Sequence, residues 1–320
     1  MKKRKTTLLF TRTFAVLLAF IFIQCNPTNP LLEKLGYSSK DKLLIIHTDD
    51  LGLSKSHNRA TIVSMTEGVV NSAAIMMPCS WAMDAAVLLQ DYPDLDVGVH
   101  LTFTNEWYNY RWGTVSPMAE VPSLINEEGF MYPDCKSFSE NATPEEVELE
   151  IRAQIEAALT AGINISHLDA HMSCIFRGRI EYLASYLKLA AEYGVVPMVS
   201  RDIYKNKIKK NPQYFRGIDI ENIPYVDRVL IASEEDYEKK GMDQLYTDII
   251  NNLKPGITVL LIHTAFDDEE MKLITEGHDY WHSPWRNDDF EFFTSEKANK
   301  LIQENNIKLI TWKDINPGFK

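Results

Sequence analysis

The sequence predicts an α/β protein built from parallel βα units in one elaborated domain. Short apolar runs alternate with stretches of helical periodicity, several of those runs end in Asp or His, and no repeat or linker divides residues 40–320. A brief apolar run closed by a turn signal is the pattern of a strand buried on both faces, as in a parallel sheet. Strands alternating with helices give βα units. In open sheets and barrels alike, ligands bind at the carboxyl ends of such strands.

The first strand is Leu43 to Ile46, followed at once by His47, Thr48, Asp49 and Asp50 and then by the turn Leu51-Gly52-Leu53. Ser54 to Gly68 suits a helix with a glycine stop. Val69 to Met77 is a second strand, Trp81 to Gln90 a second helix, and Val97 to Phe103 a third strand with His100 inside it. From Thr104 to Glu140 the periodicity disappears, which marks a functional loop rather than a mere connection. It begins with Trp107, Tyr108, Tyr110 and Trp112, read either as packing onto the body or as a platform for sugar faces.

Thr143-Pro144-Glu145-Glu146 is a capping box with proline at the first helical position. Val147, Ile151, Ile155 and Leu159 then give one apolar stripe, ended by Gly162. Ile163 to Leu168 is the next strand, with His167, Asp169 and His171 at its end. Ile180 to Gly194 reads as helix and Val195 to Val199 as strand. The basic run Lys205 to Lys210 is a solvated face, and Arg228 to Ala232 a strand. Met242 to Leu253 is helix, Ile257 to Ile262 a strand ending in His263, and Gly277 to Asp289 a loop carrying Trp281, Trp285 and Arg286. A helix from Ser295 and a strand from Lys308 complete the chain.

The 45% hydrophobic, 24% charged composition is that of a folded globular protein. The first residues stand apart: Lys2, Lys3, Arg4 and Lys5 precede an apolar stretch, Phe14 to Ile23, and Cys25. Residues 1–24 therefore read as an export signal. This segment resembles a bacterial lipoprotein signal, which implies that Cys25 is lipidated, that residues 25–41 are a tether, and that residues 42–320 form the domain. The expected location is outside the cytoplasm, periplasmic or at the cell surface, with the lipid anchor as the one membrane contact. Residues 1–24 hold five basic and no acidic residues, so the remainder has 28 Lys plus Arg against 45 Asp plus Glu, near −17. That charge disfavours nucleic acid and anionic membrane surfaces and suits a neutral or cationic substrate. Cys79, Cys135 and Cys174 are odd in number without close pairing, so core thiols are expected rather than a disulfide framework.

Four strands thus carry Asp49 and Asp50, His100, His167 with Asp169 and His171, and His263 near their ends. A sheet has no packing reason to place polar groups repeatedly at one end of buried strands. One carboxylate and two imidazoles form a common set for a catalytic divalent metal, and an adjacent second carboxylate suits a proton acceptor. On a strand His167, Asp169 and His171 share a face, and spacing alone does not choose among them.

HTDDLGLS with Asn58, then Gly98-Val99-His100-Leu101, then Ser166-His167-Leu168-Asp169-Ala170-His171, resembles the YdjC-like family of carbohydrate deacetylases, in order across residues 42–315. The resemblance implies a deformed (β/α) barrel, one divalent metal ion, and removal of the acetyl group from an N-acetylated amino sugar or oligosaccharide. It implies Asp50, His100 and His171 as metal ligands and Asp49 as general base. The expected ion is zinc, with magnesium, nickel and cobalt as alternatives. His263 is the candidate acid, with Arg286 or Asp169 setting its pKa, and His167 and Asp169 are candidates for orienting His171. Trp107, Trp112 and Arg286 are candidates for substrate contact. Where the family continues after the His171 position with histidines this chain has Met172, Ser173 and Cys174, and at the late strand it has His263-Thr264-Ala265 in place of His-Pro-Gly. Two other readings stay open: a metal-dependent hydrolase of another amide or ester, and a surface lipoprotein that binds glycans without turnover. A pure binder, however, has no use for Asp49.

Overall fold

The computed structural model describes residues 29–316. The export signal expected at residues 1–24 and the lipidation expected at Cys25 lie outside the described residues. Eight strands form one sheet: β1 (Lys42–Leu51), β2 (Ser72–Ile75), β3 (Val97–Leu101), β4 (Ile165–Ala170), β5 (Val196–Pro197), β6 (Arg228–Ile231), β7 (Gly256–Ile262) and β8 (Ile307–Leu309). Their order is β5-β4-β3-β2-β1-β7-β6, with β8 beside the start of β1, and every ladder is parallel. The two outer strands approach each other through a bridge between Ser200 and Val226, where the Val226 N–H donates to the Val199 carbonyl at 2.9 Å. The result is a single-domain, deformed (β/α) barrel.

Strand alternation sorts the core. Leu44 and Ile46 of β1, with Leu260 and Ile262 of β7, pack outward against the helices Glu234–Asn251, Ser283–Phe293 and Glu296–Glu304. Leu43 and Ile45, with Ile257 and Val259, form an inner cluster with Ile310 and Trp312. Val97, Val99 and Leu101 of β3 meet the helices Ala82–Leu89, Pro144–Thr160 and Ile180–Tyr193. Both faces of β1 are therefore buried, as its unbroken apolar run requires.

Several details differ from the sequence reading. The helix Pro144–Thr160 buries Val147, Ile151, Ile155 and Ala158 while Leu159 is exposed, because three helical turns return to the same face at i+11, not i+12. Half of its capping box forms: Thr143 accepts from the Glu146 N–H, while the Glu146 carboxylate turns away to Ser123. Ser283–Phe293 is a helix with His282 as its N-cap, starting inside the stretch Gly277 to Asp289 read as loop and running past its end. Its buried face carries Arg286 and Asp289 beside Trp285, Phe292 and Phe293, so a site-facing pair interrupts the apolar stripe. Within the expected tether, Pro30–Lys34 is a helix whose Leu32 is buried, and Asn29 Nδ2 donates to the Tyr225 carbonyl at 2.8 Å; packed structure therefore begins before residue 42.

The expectation of three core thiols is corrected. Cys135 and Cys174 form a disulfide, and Cys79 is free and buried. The partners are 39 residues apart in sequence, and only the docking of the long loop beside the end of β4 brings them together. A carboxylate anchors that loop as well: Glu150 Oε1 and Oε2 accept the backbone N–H groups of Val115 and Ser116, each at 2.9 Å. Closing a loop of this length restricts the unfolded chain, so the Cys135→Ser/Cys174→Ser double variant is expected to lose about 2–4 kcal/mol of stability. Urea unfolding of the variant beside the parent measures it, and an unchanged midpoint counts against the bond.

Candidate active site

The inner face of the barrel changes character along its axis. On β1 the inward series runs Leu43, Ile45, His47, Asp49; on β7 it runs Ile257, Val259, Leu261, and then His263 just past the strand end. On β4 it runs His167, Asp169, and then His171 on the turn beyond the strand. The barrel is apolar near the amino ends and polar near the carboxyl ends. His167 fills the floor between these zones, its ring stacked 5.2 Å from Trp312 and edge-on 5.0 Å from His47. Gly98 makes room for it, since a Cβ there would lie 2.5 Å from His167 Nε2. His167 Nδ1 pairs with Ser166 Oγ at 2.8 Å, and burial pushes its pKa well below the usual histidine range. It packs the floor, and the ring nitrogens of His171 face His100 and Glu106 instead.

Strict alternation would point Asp49 and Asp50 to opposite faces. The structure avoids this with a register slip against β2 between Thr48 and Leu51, and with Asp50 in the left-handed region at φ 63°. Asp is among the few residues that adopt this conformation readily. Asn58 secures the turn that follows, accepting from the Gly52 N–H at 2.7 Å and donating to the Trp81 carbonyl at 3.0 Å. Both carboxylates consequently face the barrel mouth.

Asp50, His100 and His171 converge there. His100 Nε2 lies 3.3 Å and His171 Nδ1 3.4 Å from Asp50 Oδ1, and the two ring nitrogens are 3.3 Å apart. Donors about 2.0–2.1 Å from a shared zinc at tetrahedral angles span a triangle of roughly this edge. Asp50 Oδ1 is buried without a hydrogen-bond partner, and the two imidazole nitrogens face each other beside it. Both features fit a bound cation. The remaining valences are fixed from behind: Asp169 Oδ1 bonds His100 Nδ1 at 2.7 Å, and Arg286 Nη2 holds Asp50 Oδ2 at 2.9 Å.

A second group, His47, Asp49 and Asp169, lies alongside. Here His47 Nε2 sits 3.0 Å from Asp169 Oδ2 and 3.2 Å from Asp49 Oδ1, and its Nδ1 bonds Ser72 Oγ at 2.8 Å. Burial alone would lower the His47 pKa, but the bonds to Asp169 and Asp49 lift it to about 9. The imidazolium supplies the positive charge between the two acids, so this group fits an ion pair better than an ion site. Burial raises the Asp49 carboxyl above the ordinary range against the pull of His100 and His47. Asp169 is held far below that range because the two imidazoles outweigh its burial.

His263 Nε2 lies 3.7 Å from Asp49 Oδ2. Burial, with Arg286 nearby, pushes its pKa well below the histidine range, so it rests neutral. Of the two groups expected to tune it, Arg286 acts in this way, whereas Asp169 bonds His47 and His100 instead. Asp289 takes up the positioning role, accepting the His263 backbone N–H at 2.8 Å and the Tyr246 hydroxyl at 2.5 Å.

Trp107 and Trp112 are each only 3% exposed and pack with Leu53, Met76 and Met271, so they hold the loop to the body. Trp107 lies under the Arg286 guanidinium at 5.4 Å and Trp112 stands beside His171 at 6.4 Å. The exposed ring of this loop is Tyr108. The sequence reading did not single out His47, His57 or Glu106. His47 continues the inward parity of Leu43 and Ile45, which is the signal that marks it. His57, in the first turn of the helix Lys55–Thr66, bonds the Asp49 carbonyl through Nε2 at 2.7 Å. Glu106 Oε2 bonds His171 Nε2 at 2.9 Å, and nothing in its loop sequence announces that contact.

Comparison with known proteins agrees with this architecture. The family described as YdjC-like protein matches residues 43–304. A carbohydrate deacetylase of Thermus thermophilus is 28% identical over 297 residues, covering 89% of this chain and 97% of that protein. A carbohydrate deacetylase of Thermoanaerobacter pseudethanolicus is 25% identical over 271 residues, covering 85% and 98%. A crystal structure from Enterococcus faecalis V583 superposes with a TM-score of 0.71 at 24% identity, over 86% of this chain and 99% of that one, a likeness of fold. With the motifs at the ends of β1, β3 and β4 falling inside the matched span, the chain belongs to the YdjC-like protein family.

Proposed function

We propose that the protein is a metal-dependent carbohydrate deacetylase that hydrolyses the acetamido group of an N-acetylated amino sugar or oligosaccharide. Asp50, His100 and His171 would hold one divalent ion, with zinc the first candidate given a carboxylate and two imidazoles at this spacing. The observation that carries the reading is a second, proton-accepting carboxylate, Asp49, next to that donor triangle. The names of the curated relatives support the substrate class. The burial of Trp107 and Trp112 weighs against a glycan binder that relies on them as stacking platforms.

The chemistry such an ion supplies when bound is Lewis acidity, which polarises an acetyl carbonyl and acidifies water. Asp49 accepts the proton of the water that attacks the acetyl carbon, a role suited to a carboxylate whose basicity burial has raised. His47 bonds Asp49 and keeps it aimed. His263, neutral at rest, takes the proton from Asp49 Oδ2 onto Nε2 and delivers it to the amine nitrogen as the C–N bond breaks. The products are acetate and the free amino sugar. Arg286 keeps Asp50 Oδ2 occupied, so Oδ1 remains for the ion. The basic and apolar pattern of residues 1–24 supports an export signal, and with it an activity outside the cytoplasm anchored through Cys25; the Cys135–Cys174 disulfide supports an oxidising location.

Asp49→Asn is expected to lower turnover by about 100-fold or more while the ion stays bound; acetate release and metal analysis on one sample check both halves, and an active variant removes Asp49 as the base. Asp50→Ala and His171→Ala are expected to lose the ion on dialysis, so full metal content in either refutes its role as ligand. The ion-free site also sets a pH dependence. Burial lowers the His171 pKa, but Glu106 and Asp50 more than compensate and raise it to about 9. Below that pH the ring must release a proton to bind an ion, so affinity is expected to rise with pH up to about 9. Calorimetric titrations in buffers of different ionisation enthalpy count the protons released, and a pH-independent affinity would contradict the assignment.

A further inference from the structure

The two histidines of the donor triangle are oriented by the same device from different sources. His100 presents Nε2 to the centre and gives Nδ1 to Asp169. His171 presents Nδ1 to the centre and gives Nε2 to Glu106. Asp169 sits directly opposite His100 in the β3–β4 ladder, so the sheet itself delivers that carboxylate. His171 has left the ladder. It stands on a turn whose next residues, Met172 and Ser173, both have positive φ, at 51° and 58°. No strand partner fixes its ring.

We propose that Glu106 is the positioning residue for His171. It keeps a proton on Nε2, leaves Nδ1 for the ion, and thereby makes the long loop part of the ion site. The inference rests on the metal-dependent reading above. The residues on either side of Glu106 are fixed, so the carboxylate is placed and not a drifting surface charge. Asn105 donates its backbone N–H to the Tyr132 carbonyl at 2.8 Å and accepts from Arg111 Nε at 2.7 Å. Thr104 accepts from Trp112 Nε1 at 3.0 Å, and its hydroxyl touches Met172 Sδ at 3.3 Å. On the far side Trp107 is buried beneath Arg286. A carboxylate on the outer nitrogen of a ligating histidine fixes the tautomer, aims the ring and raises its basicity as a ligand.

The test uses chelator-stripped protein titrated with zinc by calorimetry and with cobalt by visible absorption. Glu106→Ala is expected to bind zinc about 10–100-fold more weakly and to shift the cobalt spectrum. Glu106→Gln, which keeps an acceptor, is expected to recover most of the affinity. Glu128→Ala, an exposed carboxylate of the same loop, is expected to match the parent. Parent-like affinity and spectrum in Glu106→Ala overturn the inference, as does a Gln variant as weak as the Ala variant. If Glu106→Ala does not fold, Glu106→Asp, whose carboxylate is one methylene short, replaces it with the same expected loss. A parent that binds neither ion overturns both this inference and the metal-dependent reading, whereas equal binding by parent and Glu106→Ala overturns this inference alone.

Discussion

A fully buried carboxylate bonded to two imidazoles holds the centre of this barrel together. Asp169 reaches His100 with one oxygen and His47 with the other. Each of those rings then meets a carboxylate of β1, His47 at Asp49 and His100 at Asp50. An unpaired charge in such a place would cost several kcal/mol. The alternating series of acid and base lets several ionisable groups share an interior that would expel any one of them alone. The cost of disrupting it is correspondingly high: loss of Asp169 would leave two rings without their acceptor.

That pairing also assigns separate roles to two adjacent acids. Burial keeps the basicity of Asp49 raised despite the imidazoles around it, while Asp50 is locked by a guanidinium and held well below the usual carboxylate range. Two neighbouring residues of one chemical type thus differ in protonation tendency because their surroundings differ, as in other sites where carboxylates share a reaction.

Much of this was legible in the sequence, for identifiable reasons. Buried parallel strands leave continuous apolar runs, so β1 and β7 were readable, and with them the polar residues at their ends. The helix Pro144–Thr160 announced itself by its cap and stripe. What stayed hidden depended on contacts across the fold. The approach of Cys135 to Cys174, the meeting of Glu106 with His171, and the floor role of His167 beneath Gly98 each join segments separated by many residues. Ser283–Phe293 was missed because its inner face carries Arg286 and Asp289 where an amphipathic pattern expects apolar side chains. At such positions the demands of the site override local pattern.

The left-handed backbone at Asp50 restricts more than geometry. A ligand position in ordinary strand conformation can exchange among Asp, Glu and His as long as coordination permits. At φ 63° most side chains pay a steric penalty, which falls hardest on β-branched and bulky ones. Asn fits the backbone and lacks the charge; Glu and His bring ligand atoms on a longer or wider side chain. On the proposed reading the identity of this residue is therefore selected twice, by the cation it would hold and by the chain, and the single-step mutational neighbourhood around it is narrow. His100, in regular strand, carries no comparable backbone restriction.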